Sequence, residues 1–249
     1  MIDVKNIYKK FYNEEVLHDV SALFERGKTN LIIGRSGSGK TVLLKAIVGL
    51  FEADSGEIRY DGVDFIKLNN KGKKQIRKEI GMMFQGGALF DSYSVLENVM
   101  YPLDMFTNEP YSKKRERAIF CLERVNLKNT DHLYPAELSG GMKKRVAIAR
   151  AIAMNPKYLF CDEPNSGLDP QTSIVIDNLI WDITKEFNMT TIINSHDMNS
   201  VMEIGENVVF LYNGRKWWEG SNKEILESNN KELNDFIFAS RFLNKLREG

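Results

Sequence analysis

The apolar and polar residues of the chain alternate with two periods, one typical of strands and one typical of helices. Short apolar runs at residues 29–33, 80–84 and 190–194 predict buried strands. Apolar residues at helical spacing predict helices over residues 41–51 and 170–187. Because strands and helices alternate in this way, we expect an α/β fold with a parallel sheet at its centre.

Two other parts of the chain depart from this alternation. Residues 2–12 and 16–25 predict paired strands, and the Asp61-Gly62 turn predicts a further hairpin. The stretch from about residue 88 to residue 155 has a helical pattern and lacks strand signals. We therefore expect an antiparallel β subdomain and a helical subdomain, at about residues 88–155, inserted into the α/β core.

Composition and charge narrow the class of protein. Lys plus Arg and Asp plus Glu are both 34, and this zero formal charge argues against a dedicated nucleic-acid binder. No apolar run approaches the about 18 residues of a membrane-spanning helix, and the N-terminus lacks a signal-peptide pattern. We therefore expect a cytoplasmic protein that reaches a membrane only through a partner. Cys121 and Cys161 have no metal-ligand spacing, which argues against metal binding by cysteine.

A glycine-rich segment between a predicted buried strand and a predicted helix fits the pattern G-x-x-x-x-G-K-[ST]. Glycines let backbone N–H groups turn inward around phosphates, and the start of the helix presents its positive end to the same anion. We expect Lys40 to reach the β- and γ-phosphates of ATP and the Thr41 hydroxyl to ligate Mg²⁺. The segment consists of Gly34, Arg35, Ser36, Gly37, Ser38, Gly39, Lys40 and Thr41.

Two carboxylates, Asp162 and Glu163, follow the apolar strand predicted at residues 158–161. A carboxylate at the C-terminal end of a parallel strand faces the ligand crevice of an α/β fold. We therefore expect Asp162 to hold Mg²⁺ and Glu163 to polarise the attacking water as general base.

A five-residue segment between these two motifs narrows the class of NTPase. Leu138-Ser139-Gly140-Gly141-Met142 opens a predicted helix and resembles the ABC signature, usually LSGGQ. The chain thus resembles the ABC ATPases, which have a P-loop NTPase (RecA-like) core. The resemblance implies that two copies meet head to tail, so that one copy binds the partner's ATP through Ser139, Gly140 and Gly141.

Further positions match functional residues of that family, over about residues 2–220. Gln85 resembles the Q-loop glutamine, which implies roles in catalysis, in Mg²⁺ binding and in contact with a membrane subunit. His196 resembles the switch histidine, which implies a catalytic role. Phe11, more than the adjacent Tyr12, occupies the position at which the family stacks an aromatic ring on adenine. Residues 166–169 resemble the D-loop, which crosses the dimer interface.

Departures from the family pattern indicate a subfamily. Met142 replaces the usual glutamine, and residues 86–90, 94–103 and 145–151 are similar to ATPases of Mla-type, MCE-associated phospholipid transporters. This resemblance implies an integral-membrane permease as partner, together with a lipid-binding MCE-type protein and an accessory cytosolic subunit. We therefore predict an ATP-hydrolysing subunit, peripheral on the inner face of the cell membrane, that powers phospholipid transport.

Two alternatives stay open on the sequence. The first is the ATPase of another ABC importer or exporter, for instance one for amino acids or lipoproteins. The second is a soluble ABC ATPase without a membrane partner, working on assembly or on nucleic acid. The basic cluster at residues 71–78 would fit that work, but its spacing favours a solvated helix face, and we predict no nucleic-acid partner.

We expect the ATPase domain to span residues 1–220 and a C-terminal helical tail to span residues 221–249. The tail carries apolar residues at mixed helical spacing. They either pack on the tail's own domain or dock onto the neighbouring ATPase or an accessory subunit. The set consists of Phe236, Ile237, Phe238, Phe242, Leu243 and Leu246.

Overall fold

Ten strands form two sheets in the computed structural model, which describes residues 1–238. In chain order the strands are β1 (Ile2–Phe11), β2 (Glu14–Phe24), β3 (Thr29–Ile33), β4 (Ser55–Tyr60), β5 (Val63–Asp64), β6 (Ile80–Met83), β7 (Tyr158–Asp162), β8 (Thr190–Ser195), β9 (Asn207–Tyr212) and β10 (Arg215–Gly220). One sheet is antiparallel, in the order β2-β1-β4-β5. The other has the order β10-β9-β3-β8-β7-β6, in which β10 is antiparallel to β9 and all other neighbours are parallel. The predicted α/β class is confirmed.

Eight helices accompany these sheets within the described residues. They are α1 (Lys40–Val48), α2 (Asn70–Lys78), α3 (Val95–Phe106), α4 (Tyr111–Arg124), α5 (Gly140–Ile152), α6 (Pro170–Glu186), α7 (Met198–Ile204) and α8 (Lys231–Ile237). Helices α3, α4 and α5 lie between β6 and β7 in the chain, and no strand of the described part separates them. This is the helical insertion that the pattern predicts. Helix α2 carries the basic cluster and buries none of its residues, as a solvated helix does.

Within the six-stranded sheet, the strands β3, β7, β8 and β9 are almost entirely buried, which explains their near-continuous apolar sequence. On β3, Leu31 and Ile33 belong to one hydrophobic cluster and Ile32 to another. The first cluster includes residues of the helical insertion, such as Val99, and the second includes residues of the antiparallel sheet, such as Ile7. The antiparallel sheet and the helical insertion therefore pack on opposite faces of the central sheet.

The described part of the C-terminal tail packs on this same core. Ile225, Leu233 and Ile237 are buried in the cluster that covers the first face. The ring of Phe236 lies 5.4 Å from that of Phe210 on β9. These contacts support the interpretation in which the tail packs on its own domain, while Phe242, Leu243 and Leu246 lie outside the described residues. Within residues 1–238, no helix is both long enough and apolar enough to span a bilayer.

Candidate functional site

The candidate site lies where three neighbouring parallel strands end. In the register of the sheet, Ile33 of β3 pairs with Ser195 of β8, and Asn194 of β8 pairs with Asp162 of β7. Parallel strands present their carboxyl ends at one edge of a sheet, which is where α/β folds bind ligands. The glycine-rich loop, the two carboxylates and the loop with His196 therefore meet at this edge.

The glycine-rich loop has backbone conformations that other residues could not adopt without strain. Gly34 has a φ of 150°, and a Cβ there would lie 2.3 Å from the Leu211 carbonyl oxygen. Gly39 has a φ of 99°, and a Cβ there would lie 2.8 Å from the Leu17 side chain. Both glycines are thus required for the loop to close against β2 and β9, the strands that carry Leu17 and Leu211.

Lys40 is buried at the start of α1 and points back into this loop. Its Nζ donates to the carbonyl oxygens of Gly34, at 2.8 Å, and Arg35, at 3.0 Å. Burial lowers the pKa of the Lys40 ammonium, whereas the negative charges of Glu163 and Asp162 act in the opposite direction. The ammonium is therefore held inside the loop. Two of its three N–H donors bind these carbonyl oxygens, and the third binds neither of them.

Asp162 joins two other oxygen-bearing side chains at the end of β7. The Thr41 hydroxyl lies 3.3 Å from Asp162 Oδ1, and the Asn194 amide donates to the same oxygen at 3.0 Å. Oxygen donors of this kind are what Mg²⁺ prefers, and the ion takes few protein ligands because it keeps water and phosphate oxygens. The residues present thus fit a Mg²⁺–nucleotide site.

The Glu163 carboxylate is held between two side chains from distant parts of the chain. Gln85 Nε2 donates to Glu163 Oε2 at 2.9 Å, and His196 Nδ1 lies 3.2 Å from Glu163 Oε1. Glu163 has a φ of 49°, a left-handed conformation that costs a non-glycine residue about 1–2 kcal/mol. The carboxylate lines a cavity of about 500 Å³ together with Lys40, Arg35, Ser36 and His196. The structure thus brings the predicted carboxylate, glutamine and histidine together beside the predicted phosphate loop.

The signature residues lie apart from this cavity. Ser139 caps α5 by accepting a hydrogen bond from the Met142 N–H at 3.2 Å. A Cβ on Gly141 would lie 2.7 Å from the Thr172 side chain, so glycine is needed for α5 to approach α6. Among the described residues that line the cavity, none comes from the signature. Ser139 and Gly140 are instead exposed at the start of a helix, a position that suits an anion brought by another molecule.

The predicted adenine-stacking position lies at the end of β1. The Phe11 ring packs edge-to-face on Phe51, with centroids 5.3 Å apart, and the Lys9 ammonium lies over it at 5.3 Å. Tyr12 is 99% exposed and has a φ of 54°. Phe11 therefore has a fixed ring, whereas the Tyr12 ring has almost no protein contact.

Sequence reasoning missed three polar residues close to the site. Asn194 contacts Asp162, and its signal was an amide at the end of an apolar strand. Lys144 is buried, with its Nζ 3.4 Å from Ser166 Oγ, and the run of basic residues around it hid this position. Asp177 is buried on α6, where a carboxylate among apolar residues at helical spacing was the available signal.

The glycine-rich loop with its lysine follows β3, and an aspartate and a glutamate lie at the end of β7, on the other side of β8. This combination defines a P-loop NTPase. Within that class, the chain belongs to the ABC transporter family, whose model matches residues 17–166. It is an ABC ATPase, the ATP-binding subunit of an ABC transporter, as the signature and its position between the two motifs predict.

Known relatives agree with this assignment. The chain is 37% identical over 237 residues to the intermembrane phospholipid transport system ATP-binding protein MlaF of Haemophilus influenzae, covering 95% of this chain and 90% of that protein. It is 40% identical over 239 residues to the methionine import ATP-binding protein MetN of Clostridioides difficile, covering 95% of this chain and 74% of that protein.

Solved structures show the same fold. The dimeric structure of MJ0796, a bacterial ABC transporter cassette, matches with a TM-score of 0.81 at 33% identity, covering 89% of this chain and 99% of that one. The structure of cbiO1 from Clostridium perfringens, part of the transporter complex cbiONQ, matches with a TM-score of 0.85 at 29% identity, covering 100% of this chain and 98% of that one. The predicted family and its ATPase activity are thus confirmed.

Proposed function

We propose that this ATPase works as a head-to-tail dimer that hydrolyses ATP at two shared sites and thereby drives phospholipid movement through a membrane permease. The observation that carries the catalytic part is the Glu163 carboxylate, held between Gln85 and His196 in the cavity of the phosphate loop.

In each site, Glu163 accepts the proton of the water that attacks the γ-phosphate. Gln85 and His196 hold its two oxygens, so the carboxylate does not need to reorient when water arrives. Lys40 and the inward N–H groups of the loop, from Gly34 to Thr41, bind the phosphates, and Phe11 stacks on adenine. Thr41, Asp162 and Gln85 would hold Mg²⁺, which neutralises phosphate charge when it is bound.

The partner copy completes each site with its signature. Ser139, Gly140 and Gly141 are outside their own cavity but form the N-terminal end of α5, which attracts an anion. Binding of the partner's γ-phosphate there makes ATP part of the dimer interface. Hydrolysis removes that link, so the dimer opens.

A groove beside Gln85 is the proposed docking site of the permease. It has a volume of about 450 Å³ and lies between the central sheet and the helical insertion. Aromatic side chains line much of it, and exposed aromatic surface of this kind marks protein contacts. The lining includes Phe84, Phe90, Tyr101, Pro102, Phe106 and Arg150. A permease bound there would hold the ATPase at the inner face of the cell membrane and would contact the segment that carries Gln85.

Phospholipid is the cargo that we propose, because Met142 in the signature and the segment after Gln85 resemble Mla-type ATPases. The Haemophilus influenzae relative, named for intermembrane phospholipid transport, supports this choice. By the same analogy, an MCE-type lipid-binding protein and an accessory cytosolic subunit would complete the assembly. The second candidate is amino-acid import, which the similarity to the methionine import protein favours.

Purification of the full chain from its native membranes in mild detergent tests both candidates. We expect a polytopic membrane protein to copurify and the complex to retain phospholipid. Phe106→Asp places a charge in the groove and should abolish copurification, whereas Met105→Asp, at an exposed neighbour outside the groove lining, should not. A complex whose ATP hydrolysis rises with methionine and which holds no phospholipid would favour the second candidate. Recovery of the chain without any membrane protein would contradict the transporter assignment of the groove.

A further inference from the structure

A buried polar cluster lies behind the loop that follows Glu163. The amide of Asn165 donates to Asp177 Oδ1 at 2.8 Å and to Ser200 Oγ at 3.0 Å. Ser200 also forms a side-chain hydrogen bond to Asp177, so the three side chains contact one another. Asp177 is 2% exposed and Ser200 is 1% exposed. Within residues 1–238, the Asp177 carboxylate has no ion-pair partner.

This cluster connects three elements of the catalytic site. Asn165 belongs to the loop between Glu163 and the start of α6. Asp177 is in the middle of α6, and Ser200 is in α7, which starts two residues after His196. The Asn165 amide thus links, by hydrogen bonds, the loop after Glu163 to the helix after His196.

The charge at this position costs stability. The pKa of Asp177 is raised to about 6. Burial raises it most, the hydrogen bonds from Ser200 and Asn165 lower it, and the carboxylates of Asp197 and Glu203, on the α7 side, raise it. Burial raises the pKa of the Cys161 thiol on β7, and the negative charges of Asp162 and Asp177 raise it further. On α5, the Lys144 ammonium lies 3.4 Å from Ser166 Oγ. A carboxylate whose pKa is raised destabilises the fold as pH rises from its ordinary value through the raised one, so above about pH 6 that cost is fully present.

The hydrogen bonds of the Asn165 amide indicate what an ionised Asp177 carboxylate contributes at this position. The Asn165 oxygen is buried and accepts no hydrogen bond from the described residues, so only its NH₂ group is engaged. An ionised acceptor forms hydrogen bonds about twice as strong as a neutral one, which offsets the unpaired oxygen and fixes the amide in one orientation. A neutral acceptor would hold the amide by a hydrogen bond about half as strong, so the loop between Glu163 and Asp169 would be fixed less firmly.

We propose that Asp177 is a positioning residue for ATP hydrolysis: through Asn165 and Ser200, its carboxylate fixes the loop that carries Glu163 relative to the helix that follows His196. It touches neither nucleotide nor water. Its effect is on the distance and orientation between the Glu163 carboxylate and the γ-phosphate, to which catalysis is sensitive at the level of about 1 Å.

The test compares steady-state ATP hydrolysis by the full chain and its variants. Asp177→Asn keeps the shape but removes the charge, and we expect kcat to fall about 10-fold with KM for ATP changed less than about 2-fold. The double variant N165D/D177N exchanges donor and acceptor, and we expect it to recover to within about 3-fold of the wild-type kcat. Asp182→Asn, at an exposed carboxylate on the same helix, is the matched control and should leave kcat unchanged.

Two readouts separate positioning from general destabilisation. At pH 7.5 the melting temperature of Asp177→Asn should equal or exceed that of the wild type, because the substitution removes a buried charge. The kcat of the same variant should nevertheless be lower than that of the wild type. The ratio of wild-type to variant kcat should approach one below about pH 6, where the wild-type carboxyl is protonated. An unchanged kcat in Asp177→Asn, or a loss that N165D/D177N does not restore, would overturn the proposal. If Asp177→Asn proves unstable, Ser200→Ala provides the second measurement, and an unchanged kcat there would count equally against it.

Discussion

Glu163→Gln is the most direct perturbation of the candidate catalytic centre, because the amide has the shape of the carboxylate. Gln85 Nε2 donates to one oxygen of Glu163 at 2.9 Å, and the variant keeps an oxygen there. The new NH₂ group would face His196 Nδ1, 3.2 Å away, which accepts a hydrogen bond when the imidazole is neutral with its proton on Nε2. Both contacts are therefore kept, and the substitution removes only the ability of the residue 163 side chain to accept a proton.

This geometry sets the magnitude of the effect. Loss of a positioned general base lowers turnover by about 10²–10⁴-fold, or about 2.7–5.5 kcal/mol of transition-state stabilisation. Because the contacts to Gln85 and His196 persist, we expect the Kd for ATP to change by less than about 3-fold, which is about 0.7 kcal/mol. The variant should therefore bind ATP and dimerise. Its dimer should not dissociate, because the ATP at the interface is not hydrolysed.

The assay measures phosphate release at saturating Mg²⁺–ATP and nucleotide binding in parallel. Glu163→Ala is the control, because it loses both hydrogen bonds as well as the base. Its Kd for ATP should therefore differ from that of Glu163→Gln. Hydrolysis by Glu163→Gln at more than about a tenth of the wild-type rate would show that another group accepts the proton.

Two further variants test the shared site. Lys40→Ala removes the buried ammonium from the phosphate loop and should raise the Kd for ATP at least about 10-fold in a fluorescent-nucleotide titration. Ser139→Arg leaves the chain's own cavity intact, so it should bind ATP normally, but in the Glu163→Gln background it should no longer give an ATP-dependent dimer in size-exclusion chromatography. Full activity of a Ser139→Arg homodimer would contradict the shared-site model.

The parts of the site that could be predicted from sequence are those whose chemistry is local. The segment from Gly34 to Thr41 specifies its own turn. Asp162 ends the buried strand β7 and Glu163 directly follows it, so the parallel sheet brings these carboxylates to the glycine-rich loop. Gln85 is indicated as a functional residue only by the family resemblance, because neither spacing nor polarity marks a glutamine after a strand. Its contact with Glu163, 78 residues away in the sequence, is shown only by the structure.

The remaining contacts depend on tertiary packing. Helical periodicity predicts α6 but does not say that Asp177, in the same stripe as Ser173 and Ile180, lies against Asn165 from the preceding loop. Likewise, Asn98 holds the loop after Gln85 by bonding the backbone of Phe90, and nothing in its neighbourhood in the sequence distinguishes it from a surface amide on α3. Buried polar side chains that bind backbone or one another are thus the class that sequence patterns miss.

The C-terminal tail gives a case in which the structure changes the expected result of an experiment. If the tail docked only on a partner, removal of everything after Gly220 would leave a folded monomer. Ile225, Leu233 and Ile237 are buried in the core, so that truncation would expose the first face of the central sheet. A point substitution inside α8 is the sharper test, because it leaves the rest of the tail in place.

Leu233→Ala removes a side chain that is 0% exposed, and such a change costs about 2–5 kcal/mol. At about 2–4 °C per kcal/mol for a chain of this size, the melting temperature should fall by roughly 4–20 °C. Asp235→Ala, at an exposed residue of the same helix, should leave it unchanged. If α8 packs on its own domain, ATP-dependent dimerisation, measured by sedimentation below both melting temperatures, should be equal in the two variants. A dimer weakened by Leu233→Ala without loss of melting temperature would instead show that α8 acts at the contact between subunits.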